Sequence, residues 1–223
     1  MTTAFITFEI RIIVIMKTTI DLATWPHREH FEFFKQYDMP FWGVTAQLDC
    51  TRIYDKAKSE GFPFSAGYHF ASLQAVNEVE ELRCRIEDDQ PVRFDVVHFS
   101  TTIARPDGTF GFSFQRYTAD FDQFVAEFIA ETQRVQSETG LKSPYSDQDI
   151  IYYTVTRGIA FTSFDHPMMF RRQGSIPLMA FGEMVQDGNR RIIAHSLHAH
   201  HALVDGRHAA MYFQRLQQRL DEM

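Results

Sequence analysis

The chain has 223 residues, 44% of them hydrophobic, which is enough for one sizeable domain with a full core but little for two. With 22 basic and 29 acidic residues, the formal net charge of -7 argues against nucleic acid or an anionic membrane as the main partner. The two cysteines have no motif spacing, so we expect no disulfide framework and a reducing, cytoplasmic location.

The first fifteen residues differ from the rest of the chain. They are apolar but interrupted by Glu9 and Arg11, so the segment is too short and too charged to span a bilayer. It has neither the leading basic residues nor the small-residue cleavage site of a signal peptide. We therefore expect residues 1–15 to be an N-terminal extension of the folded part.

Hydrophobic periodicity and breaker residues predict the elements that follow. The first half is predicted to contain, in chain order, helix 25–37, strand 43–48, helices 51–60 and 64–80, and strands 83–86, 92–97 and 99–104. A turn at 105–108 closes a hairpin onto 109–115, followed by helix 120–138, strands 150–155, 158–164, 178–185 and 191–201, and helix 207–220. Because the strands do not alternate regularly with helices, we predict an α+β fold with a mixed, largely antiparallel β-sheet covered by helices.

The most informative stretch lies between the last predicted strand and the last predicted helix, where residues 200–206 read HHxxxDG. Neutral imidazole titrates near neutral pH and can take a proton from a hydroxyl, which makes His201 a candidate general base for acyl transfer. A turn closed by Gly206 would direct Asp205 inward, where a carboxylate needs a cationic partner. By itself the pattern also fits a surface histidine beside an ordinary Asp-Gly turn.

The histidines of the last strand allow a second interpretation. His198 and His200 share one strand face and could bind zinc together with a third ligand. No acidic or cysteine ligand stands at a confirming offset, so we predict no metal site. We expect His200 to pack in the interior and His195 to point the same way as His201, towards the substrate tunnel.

Several stretches resemble the chloramphenicol acetyltransferase family. The signature loop of that family reads HHAVCDGFH, and residues 200–208 are similar to it. Far away in the chain, residues 25–34 resemble the family's Trp-x-x-Arg-Glu-His-Phe segment, residues 74–89 its AVN, ELR and DD block, and residues 161–165 its active-site serine segment. The similarity runs from about Met16 to the C-terminus, so we expect a single acetyltransferase domain over 16–223.

The resemblance implies a coenzyme A-dependent acyltransferase-like two-layer sandwich and a reaction. Acetyl-CoA would be the co-substrate, and the acetyl group would pass directly to a hydroxyl of chloramphenicol or a similar small acceptor within a ternary complex. His201 would be the general base and Ser163 the donor to the tetrahedral oxyanion. Asp205 and Arg28 would form a buried ion pair that supports the catalytic loop.

The same resemblance implies a homotrimer whose active sites lie between subunits, so that His201 of one chain faces Ser163 of the next. Phe34 and Trp42 would then belong to the pocket for the acceptor. The chain departs from the family after Pro177, where a threonine and a Lys-Tyr pair associated with coenzyme A are replaced by Ala180 and by Glu183-Met184. The contacts with coenzyme A must therefore differ.

Two other functions stay open at this point. Dihydrolipoamide acyltransferase cores have a similar His-x-x-x-Asp-Gly ending on a related fold, although the segment at 25–31 favours the chloramphenicol type. A non-catalytic protein that binds a small molecule could also have kept the fold. A binder would have no chemical need for His201, Asp205, Arg28 and Ser163 together.

Overall fold

A computed structural model describes residues 16–168 and 174–223 of the protein, so the predicted extension 1–15 lies outside the described residues. The strands are β1 (Lys17–Thr19), β2 (Phe41–Asp49), β3 (Cys84–Glu87), β4 (Gln90–Phe94), β5 (His98–Ala104), β6 (Phe110–Phe112), β7 (Ile150–Val155), β8 (Leu178–Asp187) and β9 (Arg190–His200). The helices are α1 (Arg28–Phe34), α2 (Thr51–Glu60), α3 (Phe64–Glu78), α4 (Phe121–Ser137) and α5 (Gly206–Glu222), with a 3₁₀ turn at Glu80–Arg83.

The strands form two sheets. The smaller sheet has the order β1-β4-β3 and is antiparallel throughout. The larger sheet has the order β2-β9-β8-β7-β5-β6, in which β7 runs parallel to both β5 and β8 while the other neighbours are antiparallel. The predicted α+β fold with a mixed, largely antiparallel sheet is confirmed.

Helices α3 and α5 are joined to the large sheet by a buried hydrogen-bond network. Ser72 of α3 shares hydrogen bonds with the hydroxyls of Tyr153 on β7 (2.8 Å) and Tyr212 on α5 (2.6 Å). The Tyr212 hydroxyl also bonds Nε2 of His195 on β9 at 2.7 Å. Buried polar groups are costly unless they are paired, so this network favours one register of the helices on the sheet.

Helix α3 is more deeply buried than its sequence pattern predicts. The eleven residues from Ala66 to Val76 are all buried, whereas an amphipathic surface helix would expose one face. The reason is that α3 has neighbours on several sides, with α2, α4 and α5 packed around it and the sheet against it. None of the helices in the described part of the chain is both long and apolar enough to cross a membrane.

The boundaries of α2 and β7 agree with the prediction, but the strand predicted at 158–164 is wrong. That segment forms a turn and irregular structure. It is held to β8 by only a few bonds, among them one from Glu183 N to Ile159 O (2.8 Å) and one from Gly158 N to the Glu183 carboxylate (2.8 Å). An apolar run becomes a strand only where a neighbouring strand offers a continuous ladder of partners.

Candidate active site

His201 lies directly after the last residue of β9, a strand paired on one side with β2 and on the other with β8. Its backbone N–H donates to the carbonyl of Pro40 at 2.8 Å, which ties it to the start of β2. The imidazole stacks on Phe34, with ring centroids 4.0 Å apart, and Trp42 lies at 5.3 Å. Phe34 is nearly parallel to the imidazole, at 16°, whereas Trp42 is tilted by 37°.

The preceding residue, His200, packs as expected. It is 2% exposed and meets the Phe41 ring edge-on at 5.6 Å, and its Nδ1 accepts the N–H of Ala202. Burial and then the charge of His201 lower the pKa of His200 to about 4, so it is neutral at physiological pH. Of the two adjacent histidines, His200 is therefore structural.

His195 does not line a tunnel, contrary to the expectation. It is fully buried, and it bonds the carbonyl of Ala180 through Nδ1 and Tyr212 through Nε2. Burial lowers the pKa of His195 to about 3, so the ring stays neutral. Alternation along β9 predicts which face of the sheet the side chain of His195 lies on. At this position, however, α3 and α5 cover that face.

Asp205 ends the loop that follows β9 and is the N-cap residue of α5. Its carboxylate accepts the backbone N–H groups of Arg207 (2.8 Å) and His208 (3.2 Å), while its own N–H donates to Nδ1 of His208 (3.1 Å). This reciprocal capping box fixes the start of the helix. The expected ion pair with Arg28 is wrong: Arg28 is exposed, and within residues 16–168 and 174–223 it forms no salt bridge.

The side chains that surround the Asp205 carboxylate are imidazoles. One ring nitrogen each of His27 and His208 and one carboxylate oxygen of Asp205 all lie within 4.8 Å of one another. Burial raises the pKa of Asp205, but the backbone hydrogen bond and charge of His208, the N–H of Arg207 and the charge of His27 outweigh it, so the pKa is lowered. Nδ1 of His208 already accepts the N–H of Asp205, which leaves its Nε2 as the remaining ring nitrogen.

Trp42 has a second role that the sequence did not reveal. Its indole N–H donates to the carbonyl of Val204 at 2.8 Å, so the same side chain contacts both His201 and the loop that follows it. His27 was missed as well, although it stands directly before Arg28. Only the turn that precedes α1 determines which of those two residues faces the loop.

Ser163 is placed apart from this group. It lies in the irregular segment after β7, and its side chain is exposed. No hydrogen bond in the described part of the chain joins it to His201. One copy of the chain therefore does not assemble the expected pair.

A cavity of about 1070 Å³ adjoins the site through Trp42. Gly43 and His198 are among its lining residues, and the ring of His198 occupies the space above Gly43, where a Cβ would lie 1.6 Å from the imidazole. Nδ1 of His198 bonds Nδ1 of His166 at 3.0 Å. The remaining walls are mostly apolar and include Met39, Phe41, Tyr152, Pro167 and Leu178.

The two cysteines are buried and unpaired, and burial raises the pKa of both thiols, that of Cys84 to about 12. Neither is suited to be a nucleophile. The carboxylate of Glu183 on β8 accepts the backbone N–H of Gly158 at 2.8 Å. This part of β8 therefore supports the neighbouring loop.

A mixed sheet covered by helices, with a histidine stacked on an aromatic ring at the end of an inner strand, is the architecture of an acyltransferase. The family model for chloramphenicol acetyltransferase matches residues 15–217, and the chain belongs to that family. It is an enzyme of the chloramphenicol acetyltransferase type.

Named relatives agree with this assignment. Chloramphenicol acetyltransferase 3 of Escherichia coli is 27% identical over 203 residues, which are 90% of this chain and 95% of the relative. A Klebsiella chloramphenicol acetyltransferase is 25% identical, covering 92% of this chain and 94% of its own length.

Solved structures show the same fold. A chloramphenicol acetyltransferase matches with a TM-score of 0.82 at 27% identity, over 92% of this chain and all of the other. A probable dihydrolipoamide acetyltransferase from Listeria monocytogenes matches with a TM-score of 0.58 at 16% identity, over 87% of this chain and 89% of the other. The second likeness is one of fold alone.

Proposed function

We propose that the protein transfers an acetyl group from acetyl-CoA to a hydroxyl of chloramphenicol or a similar small acceptor. The observation that carries the proposal is the placement of His201, which follows β9, precedes the Asp205 cap of α5 and lies beside the rings of Phe34 and Trp42. A base held in one plane is prepared for proton transfer in a defined direction.

In the proposed reaction, His201 takes the hydroxyl proton of the acceptor as its oxygen attacks the thioester carbonyl. The tetrahedral intermediate then breaks the carbon–sulfur bond, and the imidazolium returns the proton to the departing sulfur. Transfer is direct within a ternary complex, and neither of the two buried thiols offers a site for an acetyl-enzyme. General base catalysis of this kind contributes roughly 10² to 10⁴ in rate.

We assign Ser163 the role of donor to the oxyanion, across an interface between copies in a homotrimer. Its exposure and its separation from His201 within one chain support this assignment, since a hydroxyl at the surface is free to meet a neighbouring copy. A donor aimed at charge that appears only during the reaction lowers the barrier by about 3 kcal/mol. Light scattering that found only a monomer of 26.0 kDa would remove this role.

The acceptor is proposed to lie against Phe34 and Trp42. The adjoining cavity is mostly apolar, which fits a small molecule with an aromatic or aliphatic body. Two buried free thiols fit a reducing compartment, so we place the reaction in the cytoplasm.

The test is thiol release from acetyl-CoA in the presence of chloramphenicol, with the wild type and His201→Ala side by side. We expect turnover by the wild type and a loss of at least about 100-fold in the variant, with unchanged thermal unfolding and oligomeric state. Dihydrolipoamide as acceptor in a parallel assay tests the related acyltransferase activity. Binding of chloramphenicol without thiol release would establish a binding protein and contradict the proposal.

A further inference from the structure

The catalytic loop begins with His201 and ends with Asp205, and each of its backbone N–H groups has a hydrogen-bond partner. We propose that Glu81 is a positioning residue for this loop, because its carboxylate holds His208 in the one neutral form that can accept the N–H of Asp205. Glu81 lies in the 3₁₀ turn Glu80–Arg83, far earlier in the chain. The inference rests on the proposed function, since it takes His201 to be the reacting base.

The backbone N–H groups of the loop have two kinds of partner. Those of His201, Leu203 and Val204 donate to carbonyl oxygens. Those of Ala202 and Asp205 donate to imidazoles, the second of them to Nδ1 of His208 at 3.1 Å. A carbonyl oxygen can always accept a hydrogen bond, whereas Nδ1 accepts one only while the ring proton is on the other nitrogen. The last contact of the loop therefore depends on which nitrogen of His208 carries the proton.

Glu81 favours one of the two tautomers of His208. A carboxylate oxygen of Glu81 lies 3.3 Å from Nε2 of His208, and a carboxylate accepts protons from its neighbours but has none to give. Burial lowers the pKa of His208, which favours the neutral ring. In that ring the proton is drawn to Nε2, and Nδ1 stays free for the N–H of Asp205.

A proton on Nδ1 of His208 would be opposed by the loop itself. Nδ1 also lies 3.1 Å from a carboxylate oxygen of Asp205, but that oxygen already accepts the backbone N–H groups of Arg207 and His208. The same proton would face the N–H of Asp205, and two donors cannot form a hydrogen bond with each other. His208 is 4% exposed, so water has little access to the N–H that would lose its acceptor.

The neighbouring Glu80 provides a matched control, because it belongs to the same turn but is directed elsewhere. Its carboxylate pairs with Arg93 at 2.7 Å, and its side chain is 53% exposed, against 23% for that of Glu81. A general disturbance of the turn should therefore appear in variants of both residues. An effect that passes through His208 should appear only in variants of Glu81.

The first test measures thiol release from acetyl-CoA with chloramphenicol by the wild type, Glu81→Leu and Glu80→Leu, after thermal unfolding has confirmed that each is folded. We expect kcat of Glu81→Leu to fall by about three- to tenfold, which corresponds to one net hydrogen bond. The KM for the acceptor should change by less than about twofold, because a misplaced base affects the reaction more than the binding. Glu80→Leu should follow the wild type.

The second test removes the tautomer from the contact. Glutamine at the third position of a helix accepts the N–H of the capping residue through its amide oxygen, as in a common capping box. In a His208→Gln background this acceptor needs no partner at Glu81. We therefore expect Glu81→Leu to have little further effect on kcat there. An equal loss of kcat from Glu81→Leu in both backgrounds would overturn the inference.

Amide hydrogen exchange over residues 201–209 tests the contact without turnover. Exchange at Asp205 should be at least about threefold faster in Glu81→Leu than in the wild type or Glu80→Leu. Equal exchange in the two single variants would overturn the inference, and so would faster exchange with an unchanged kcat. A wild type that shows the protected N–H but no turnover would instead count against the proposed function.

Discussion

The hydrogen bond from Trp42 to the catalytic loop provides the sharpest test of how the site is held. Trp42→Phe keeps an aromatic ring beside His201 but removes the N–H that donates to Val204. Val204 is 2% exposed, so water does not easily replace the lost donor. The substitution therefore separates the aromatic contact from the support of the loop.

The expected loss of stability in Trp42→Phe follows from the burial of the Val204 carbonyl, which accepts the hydrogen bond. Leaving a buried carbonyl without its donor costs about 1–3 kcal/mol. For a chain of this length, each kcal/mol lowers the unfolding midpoint by roughly 2–4 °C. The loss of this hydrogen bond should also position the loop less firmly and so lower the rate. Since about 1.4 kcal/mol in the barrier corresponds to a factor of ten, we expect kcat to fall by up to about tenfold.

The chain offers a matched control in its only other tryptophan. Trp25 is also half-buried and packs against Phe31 with ring centroids 5.8 Å apart, but its indole N–H has no hydrogen bond among those described. Both variants are compared by thermal unfolding at one protein concentration and by acetyl transfer. Equal effects of Trp42→Phe and Trp25→Phe on both readouts would refute the support of the loop by Trp42.

Two further predictions concern buried polar groups. Tyr212→Phe removes the partner of both Ser72 and His195, so we expect it to lower the free energy of unfolding in urea by about 2–3 kcal/mol; Tyr153→Phe, whose hydroxyl bonds Ser72 alone, should cost about 1 kcal/mol. Burial lowers the pKa of His195 and His69 to about 3, so the unfolded chain takes up protons that the native state does not. Stability should therefore fall below about pH 6.5, by up to roughly 1.4 kcal/mol per pH unit for each ring.

The prediction for the tyrosines fails if Tyr212→Phe and Tyr153→Phe are equally stable. The predicted dependence of stability on pH is measured by urea unfolding at a series of pH values. His69→Phe should flatten the dependence on pH, and an unfolding midpoint that stays constant from about pH 7 to about pH 5 would contradict it.

Much of the fold follows from the sequence because its signals are local. Helix α2 is stopped by Gly61, which adopts the left-handed conformation with φ of 81°, and the predicted boundary is correct. The strand that leads to His201 is also correct to within one residue, since an apolar run without Gly or Pro has few alternatives. The segment at 158–164 also has the sequence pattern of a strand, but no neighbouring strand pairs with it along its length. The sequence of the segment itself cannot show whether such a neighbour exists.

By itself the sequence determined the family, the α+β class and the position of His201 between a strand and a helix. These depend on residue type and spacing along the chain. Only the tertiary structure decided that His27 and not Arg28 lies near Asp205, and that the indole N–H of Trp42 donates to Val204. Both contacts join residues far apart in the chain, and the direction of a side chain across such a distance is set by how the turn before α1 and strand β2 pack against the loop.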